Sequence, residues 1–120
     1  MRPRRASARR EKLFVANRGE VALRVIRAAS ELGIPTAAAA SGTDLDLPFA
    51  RAADEVLEIP EGGKLEPYLD GALMITLARR AGARLIHPGY GFLSESAAFA
   101  RACAAADLVF FVGTEAGGMT

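Results

Sequence analysis

Five short runs of strand length, most of them largely apolar, alternate with stretches of helical periodicity and constrain this chain more than any other feature. Leu13-Phe14-Val15-Ala16 and residues 36–40, 55–59, 83–87 and 108–112 all have the length of strands. The first is apolar throughout, as a strand buried on both faces requires. From Asn17-Arg18-Gly19-Glu20 a helix is predicted to run to about Leu32. Val21, Ala22, Val25, Ile26, Ala29 and Leu32 fall on one stripe of it, and Arg24, Arg27 and Glu31 on another. Gly33 ends that helix and Pro35 prevents its resumption. Such alternation of strand and helix calls for a parallel sheet with right-handed crossovers.

The later segments repeat the pattern. Residues 36–40 hold four alanines, poor strand formers, and are assigned as a strand because they follow a Gly-x-Pro break. Ser41-Gly42-Thr43-Asp44 reads as a turn, residues 45–53 as a short helix or irregular crossover, and Gly62-Gly63 as a loop after Pro60. A helix from near Pro67 to Gly82 presents Leu69, Ala72, Leu73, Thr76 and Leu77 on one face, and Gly71 inside it costs up to about 1 kcal/mol relative to alanine. The last helix begins near Glu95 with Ser94 as N-cap and buries Phe99, Ala102, Cys103 and Ala106. The fold class is α/β, a Rossmann-like parallel sheet of about five strands with helices on both faces. At 120 residues it holds one core and no internal repeat.

Composition excludes several functions. No apolar run approaches the roughly 20 residues of a membrane span, and no cysteine and histidine cluster could bind zinc. The lone cysteine, Cys103, argues for a reducing, cytoplasmic setting; its helical spacing makes it a small core residue rather than a nucleophile. The formal charge of +1 conceals a basic start, because Arg2, Arg4, Arg5, Arg9, Arg10 and Lys12 are opposed only by Glu11. That leaves nine basic against thirteen acidic groups beyond Lys12. Residues 1–11 are expected to form a basic disordered extension, 12–113 the domain and 114–120 a disordered tail. The basic start could also touch nucleic acid or resemble an organelle presequence, but no basic stripe with interleaved aromatics follows Lys12, so no nucleic acid is expected as a partner of the domain, and with no spanning run no membrane either.

The richest candidate site is His87-Pro88-Gly89-Tyr90-Gly91-Phe92-Leu93-Ser94-Glu95-Ser96, where an apolar run stops at a turn and a helix follows. Two glycines flanking a tyrosine allow positive φ and close approach of another group. In an open parallel sheet such a loop lies outside the carboxyl end of a strand, where ligands bind. A plain strand-to-helix connection with tight turn chemistry accounts for the same residues. The phosphate motifs are absent: Asn-Arg-Gly-Glu follows the first run in place of G-x-G-x-x-G or a Walker loop. His87, beside a loop that could hold a ligand, could act as an acid or base, but it has no carboxylate neighbour in sequence and reads rather as a structural hydrogen-bonding group; Asp44 and Asp46 could position a ligand or pair as acid and base, but read rather as acids of a turn. The polar stripe of the first helix has two readings, a solvated face with i,i+4 pairs Glu20–Arg24 and Arg27–Glu31 worth roughly 0.2–0.5 kcal/mol each, or a partner surface.

Phe14-Val15-Ala16-Asn17-Arg18-Gly19-Glu20-Val21-Ala22 with Arg24 and Arg27, then Ala53-Asp54-Glu55, Tyr68-Leu69 and the stretch from His87 to Glu95, resemble the N-terminal domain of biotin carboxylase. The resemblance runs from about Lys12 to Gly113 in the family's order, and two long motifs make it specific. It implies a pre-ATP-grasp type of fold and membership of the carboxylase component of acetyl-CoA, propionyl-CoA or pyruvate carboxylases. In that family ATP, magnesium and bicarbonate form carboxyphosphate, and biotin on a carrier protein is carboxylated. The resemblance places Gly89, Tyr90 and Gly91 near biotin and Arg27 and Glu31 at a homodimer interface. Asn17, Arg18, Gly19 and Glu20 match the family's first loop and, with His87, are assigned structural rather than catalytic roles. Partners so implied are the ATP-grasp and C-terminal domains and the biotin carboxyl carrier protein. This sequence departs from the family at Asp44-Leu45-Asp46 and Phe49, where arginine and histidine are common, at Thr114 in place of proline, and at its last four residues.

No ATP-grasp segment with a phosphate lid lies within the 120 residues, so the chain reads as a fragment with no catalytic residue and no metal ligand of its own. Alone it is expected to bind no cofactor tightly. Two functions remain open: part of an ATP-dependent carboxylase that works only with its catalytic half, or a non-catalytic Rossmann-like module that binds a partner or small ligand.

Overall fold

A computed structural model describes residues 11–60, 67–90 and 92–111, with the Phe92 side chain left aside. Apart from residue 11, the expected extension lies outside them, as do the Gly62-Gly63 loop, Gly91, Val112 and the expected tail. Strands β1 (Leu13–Val15), β2 (Thr36–Ala40), β3 (Glu55–Glu58), β4 (Leu85–His87) and β5 (Val109–Phe110) form one parallel sheet in the order β3-β2-β1-β4-β5. Helices α1 (Gly19–Glu31), α2 (Pro48–Ala52), α3 (Gly71–Arg80) and α4 (Ala97–Ala105) make the crossovers. Short 3-10 turns occupy Gly42–Asp44, Pro67–Leu69 and Phe92–Glu95.

Period-two alternation sends successive strand side chains to opposite layers. Leu13, Val15, Ala38 and Ala40 pack against Ala22, Leu23, Ile26 and Ala29 of α1 and Phe49 of α2. Phe14, Ala37, Ala39 and Ile86 face Met74, Leu77 and Ala78 of α3 and Phe99 and Cys103 of α4. The α/β architecture with helices on both faces is therefore as the alternation requires. Ala37 to Ala40 are each 0% exposed. Burial between two helical layers, rather than propensity, holds this alanine strand in the sheet.

Three helix details correct the periodicity argument. Leu32 is 73% exposed, because it follows the last turn of α1; Leu23 is buried instead, where α1 also meets α2. The helix expected from Pro67 starts later. Leu69 ends a 3-10 turn, and Asp70 Oδ1 accepts the Leu73 N–H at 3.1 Å, so the phase is reset and Met74, Leu77 and Ala78 face the core while Leu69, Ala72 and Thr76 are exposed. The cap of α4 is Ser96, not Ser94, since residues 92–95 first complete their own turn; Ser96 Oγ accepts the Phe99 N–H at 3.0 Å. Ala102 of that helix is exposed.

Neither Glu20–Arg24 nor Arg27–Glu31 closes to an ion pair. The pairs among the described residues are Lys12–Glu55, Arg18–Asp44 and Arg84–Glu11. No helix of the described residues is long and apolar enough to cross a membrane. The described residues also hold no group of three or more potential metal ligands.

Candidate functional site

Sheet order reverses between β1 and β4: the chain builds outward from β1 through β2 to β3, then returns to place β4 on the other side of β1. A crevice at the carboxyl ends of the strands is the general consequence of such a reversal. Val15 and His87 are register partners there, and the Ala16 N–H donates to the His87 carbonyl at 2.8 Å. The loops that leave these two strands carry Asn17 and Tyr90.

Asn17 is buried at 2% exposure. Its Nδ2 donates to the carbonyls of Pro88 at 2.7 Å and Tyr90 at 3.0 Å, while its Oδ1 accepts the Arg18 N–H at 2.7 Å. The next residue reaches the opposite way. Arg18 Nε and Nη2 grip Asp44 Oδ2 and Oδ1 at 2.7 and 2.9 Å, a two-point fork onto the turn that follows β2. Consecutive side chains thus tie the loop after β1 to the loops after β4 and β2. The Asp44 carboxylate is buried and the Arg18 side chain is 44% exposed. Behind this pair the Tyr68 hydroxyl donates to the Ala39 carbonyl at 2.7 Å. Burial pushes the Tyr68 phenol well above its ordinary range; the Asp44 charge adds to the shift and Arg18 partly offsets it.

Gly89 sits at φ +74, and a Cβ there would lie 2.6 Å from Val21 Cγ1 and 2.8 Å from Asn17 Nδ2. No side chain fits, which is what lets the loop lie against α1 and the Asn17 amide. His87 Nδ1 accepts the Gly89 N–H at 3.0 Å, so the ring is the neutral Nε2–H tautomer. Burial lowers its pKa below 6.5, which favours that same form. Gly19 opens α1 and Glu20 occupies its exposed first turn, where a carboxylate suits the helix dipole.

Tyr90 is 56% exposed. With His87 it lines a groove of about 280 Å3 that continues along α1 past Arg24, Val25 and Leu32 to Phe111. On this face α1 and α2 cover the β1–β2 half of the sheet, whereas Val109 and Phe111 remain 46% and 42% exposed. Arg27 and Glu31 are exposed on the same helix. Asp46 is exposed and distinct from the buried Asp44.

Sequence reasoning missed the role of Asn17 as a bridge, the Arg18–Asp44 fork and the Tyr68 hydrogen bond. One signal was available for the first: a carboxamide placed directly after a wholly apolar strand must find partners as it is buried.

The fold and this loop define an α/β domain with a tyrosine-bearing loop at the switch point of its sheet and no glycine-rich phosphate cradle after β1. Residues 9–119 match the family described as the N-terminal domain of biotin carboxylase, and the chain belongs to that family. It is 51% identical over 100 residues to the mitochondrial methylcrotonoyl-CoA carboxylase subunit alpha of Oryza sativa subsp. japonica, covering 83% of this chain and 14% of that protein. It is 46% identical over 99 residues to biotin carboxylase 2 of Bacillus subtilis, covering 82% and 22%. Among solved structures, the biotin carboxylase domain of a single-chain bacterial carboxylase aligns with a TM-score of 0.78 and 47% identity over 83% of this chain and 23% of that one. The chain thus spans between about one seventh and one quarter of the length of these relatives.

Proposed function

We propose that this chain is the N-terminal part of an ATP-dependent biotin carboxylase and presents Tyr90, with Gly89 and Gly91, to biotin held on a carrier protein. A half-exposed aromatic ring on a loop whose path is fixed from below by a buried carboxamide carries this reading. Ring systems such as the bicyclic head of biotin pack well against a phenol ring, and the missing Cβ of Gly89 keeps the loop that carries it close to the sheet. Tyr90 then orients the acceptor; it moves no phosphoryl group.

ATP, magnesium and bicarbonate belong to the ATP-grasp half, which would supply the cations and metal ligands that phosphoryl transfer needs. The groove beside α1 and the exposed β5 edge are the surface on which the other domains would close. Arg27 and Glu31, exposed and unpaired with each other, would form part of a homodimer contact. The free, buried thiol of Cys103 accords with a cytoplasmic, reducing setting.

The test is a two-domain enzyme reconstituted around this chain, assayed for biotin-dependent ATP cleavage. Tyr90→Ala is expected to raise KM for free biotin with little change in Tm. A large loss of Tm with unaltered biotin kinetics would place Tyr90 in the fold and not the site. The 120 residues alone are expected to cleave no ATP, and biotin-dependent cleavage by them would overturn the division of labour.

A further inference from the structure

We propose that Asn17 is the positioning residue for Tyr90: its buried carboxamide sets the height and path of the loop at residues 88–90. The inference rests on the reading of Tyr90 as the residue that faces biotin. One Nδ2 group spans the turn, holding the carbonyl before Gly89 at 2.7 Å and the carbonyl of Tyr90 itself at 3.0 Å. Its Oδ1 is anchored by the Arg18 N–H, so the amide cannot flip without losing three hydrogen bonds. Gly89 lies so close that a Cβ would come within 3.3 Å of Asn17 Cβ as well as 2.8 Å of Nδ2.

Other side chains cannot replace the amide. Aspartate would set acceptor oxygens against two carbonyls, serine is too short to reach both, and glutamine has no room for its extra methylene beneath Gly89. His87 holds the loop only from within, through the Gly89 N–H. Asn17 therefore provides the link from loop to sheet that fixes Tyr90 relative to the rest of the domain.

Two arms test this. In the chain, amide hydrogen exchange of Gly89 is followed in Asn17→Ser and in Asn17→Ala, which removes the carboxamide altogether. Exchange at Gly89 is expected to quicken about tenfold or more in either, the effect of one lost net hydrogen bond, while amides of β1 and β2 keep their rates. If Asn17→Ser fails to fold, Asn17→Ala carries this arm. Unchanged exchange at Gly89 in the folded variants overturns the proposal.

In the reconstituted enzyme, Asn17→Ser is expected to raise KM for biotin about tenfold with KM for ATP unmoved, and to add nothing in a Tyr90→Ala background. Additive effects there, or a parallel fall in every kinetic constant and in Tm, would make Asn17 merely structural and refute it. Faster exchange at Gly89 together with a biotin KM that Tyr90→Ala leaves unmoved supports the positioning role and refutes the ligand assigned to Tyr90.

Discussion

Gly71→Ala should destabilise the domain even though alanine is the better helix former. Gly71 is the first residue of α3, and helix propensity alone favours alanine by up to about 1 kcal/mol. Against this, a Cβ at position 71 would stand 2.8 Å from Phe99 Cδ1, with Cε1 at 3.5 Å and Cγ at 3.8 Å. The ring has nowhere to retreat. Phe99 is 3% exposed and meets Phe110 edge-on, with centroids 5.6 Å apart at 78°. Overpacking of this kind costs about 1–3 kcal/mol, so the middle of that range less the propensity gain leaves a net loss near 1 kcal/mol. For a domain of this size the loss lowers Tm by about 4–8 °C. Urea titration should show a lower midpoint at unchanged slope, because the surface exposed on unfolding is the same. Shrinking the ring in a Phe99→Leu background should return the alanine to neutral or better. If Gly71→Ala equals or exceeds the parent in stability, close approach of α3 to α4 is not what requires the glycine.

His87 is the chain's only histidine, and burial holds its folded pKa below 6.5. The unfolded chain binds the proton first, so the contribution of His87 is complete above pH 6.5 and is lost as pH falls through the folded value. Tm measured between about pH 8 and pH 5 should drop in the parent, and the step below pH 6.5 should be absent from His87→Asn. Burial pushes the Cys103 thiol up to about 11, and a disulfide reagent at about pH 8 should label it only after urea is added. Rapid labelling of the folded chain would contradict its burial. Ser96→Ala should cost about 1 kcal/mol through the lost cap on Phe99 N–H, and equal stability by denaturant titration would show that the cap is idle.

Strand and helix order were legible because both periods are written plainly in the apolar residues, and the parallel sheet follows from their alternation. Phase was less legible. Leu69 looked like the first core residue of a helix because leucine at that spacing carries no mark of a 3-10 turn, and only the Asp70 cap resets the count. Ser94 and Ser96 are chemically equivalent as caps, and the choice depends on where the preceding turn ends. At the site, the tyrosine between glycines stood out, whereas the partners of Asn17 did not. Its hydrogen bonds span 71 and 73 positions in sequence, beyond any local pattern.

That separation has a consequence for how the molecule is made. β1 occupies the middle of the sheet but is synthesised before the other four strands, and its partner on one side, β4, begins only at Leu85. A growing chain can pair β1 with β2 and β3 early, yet until β4 emerges the future centre of the sheet is an open edge. Contacts so distant in sequence close late and slowly. The Tyr90 loop completes the same event, since Asn17 finds the carbonyls of Pro88 and Tyr90 as β4 docks beside β1. The seam that seals the vulnerable edge during folding is thus also the seam that assembles the candidate site.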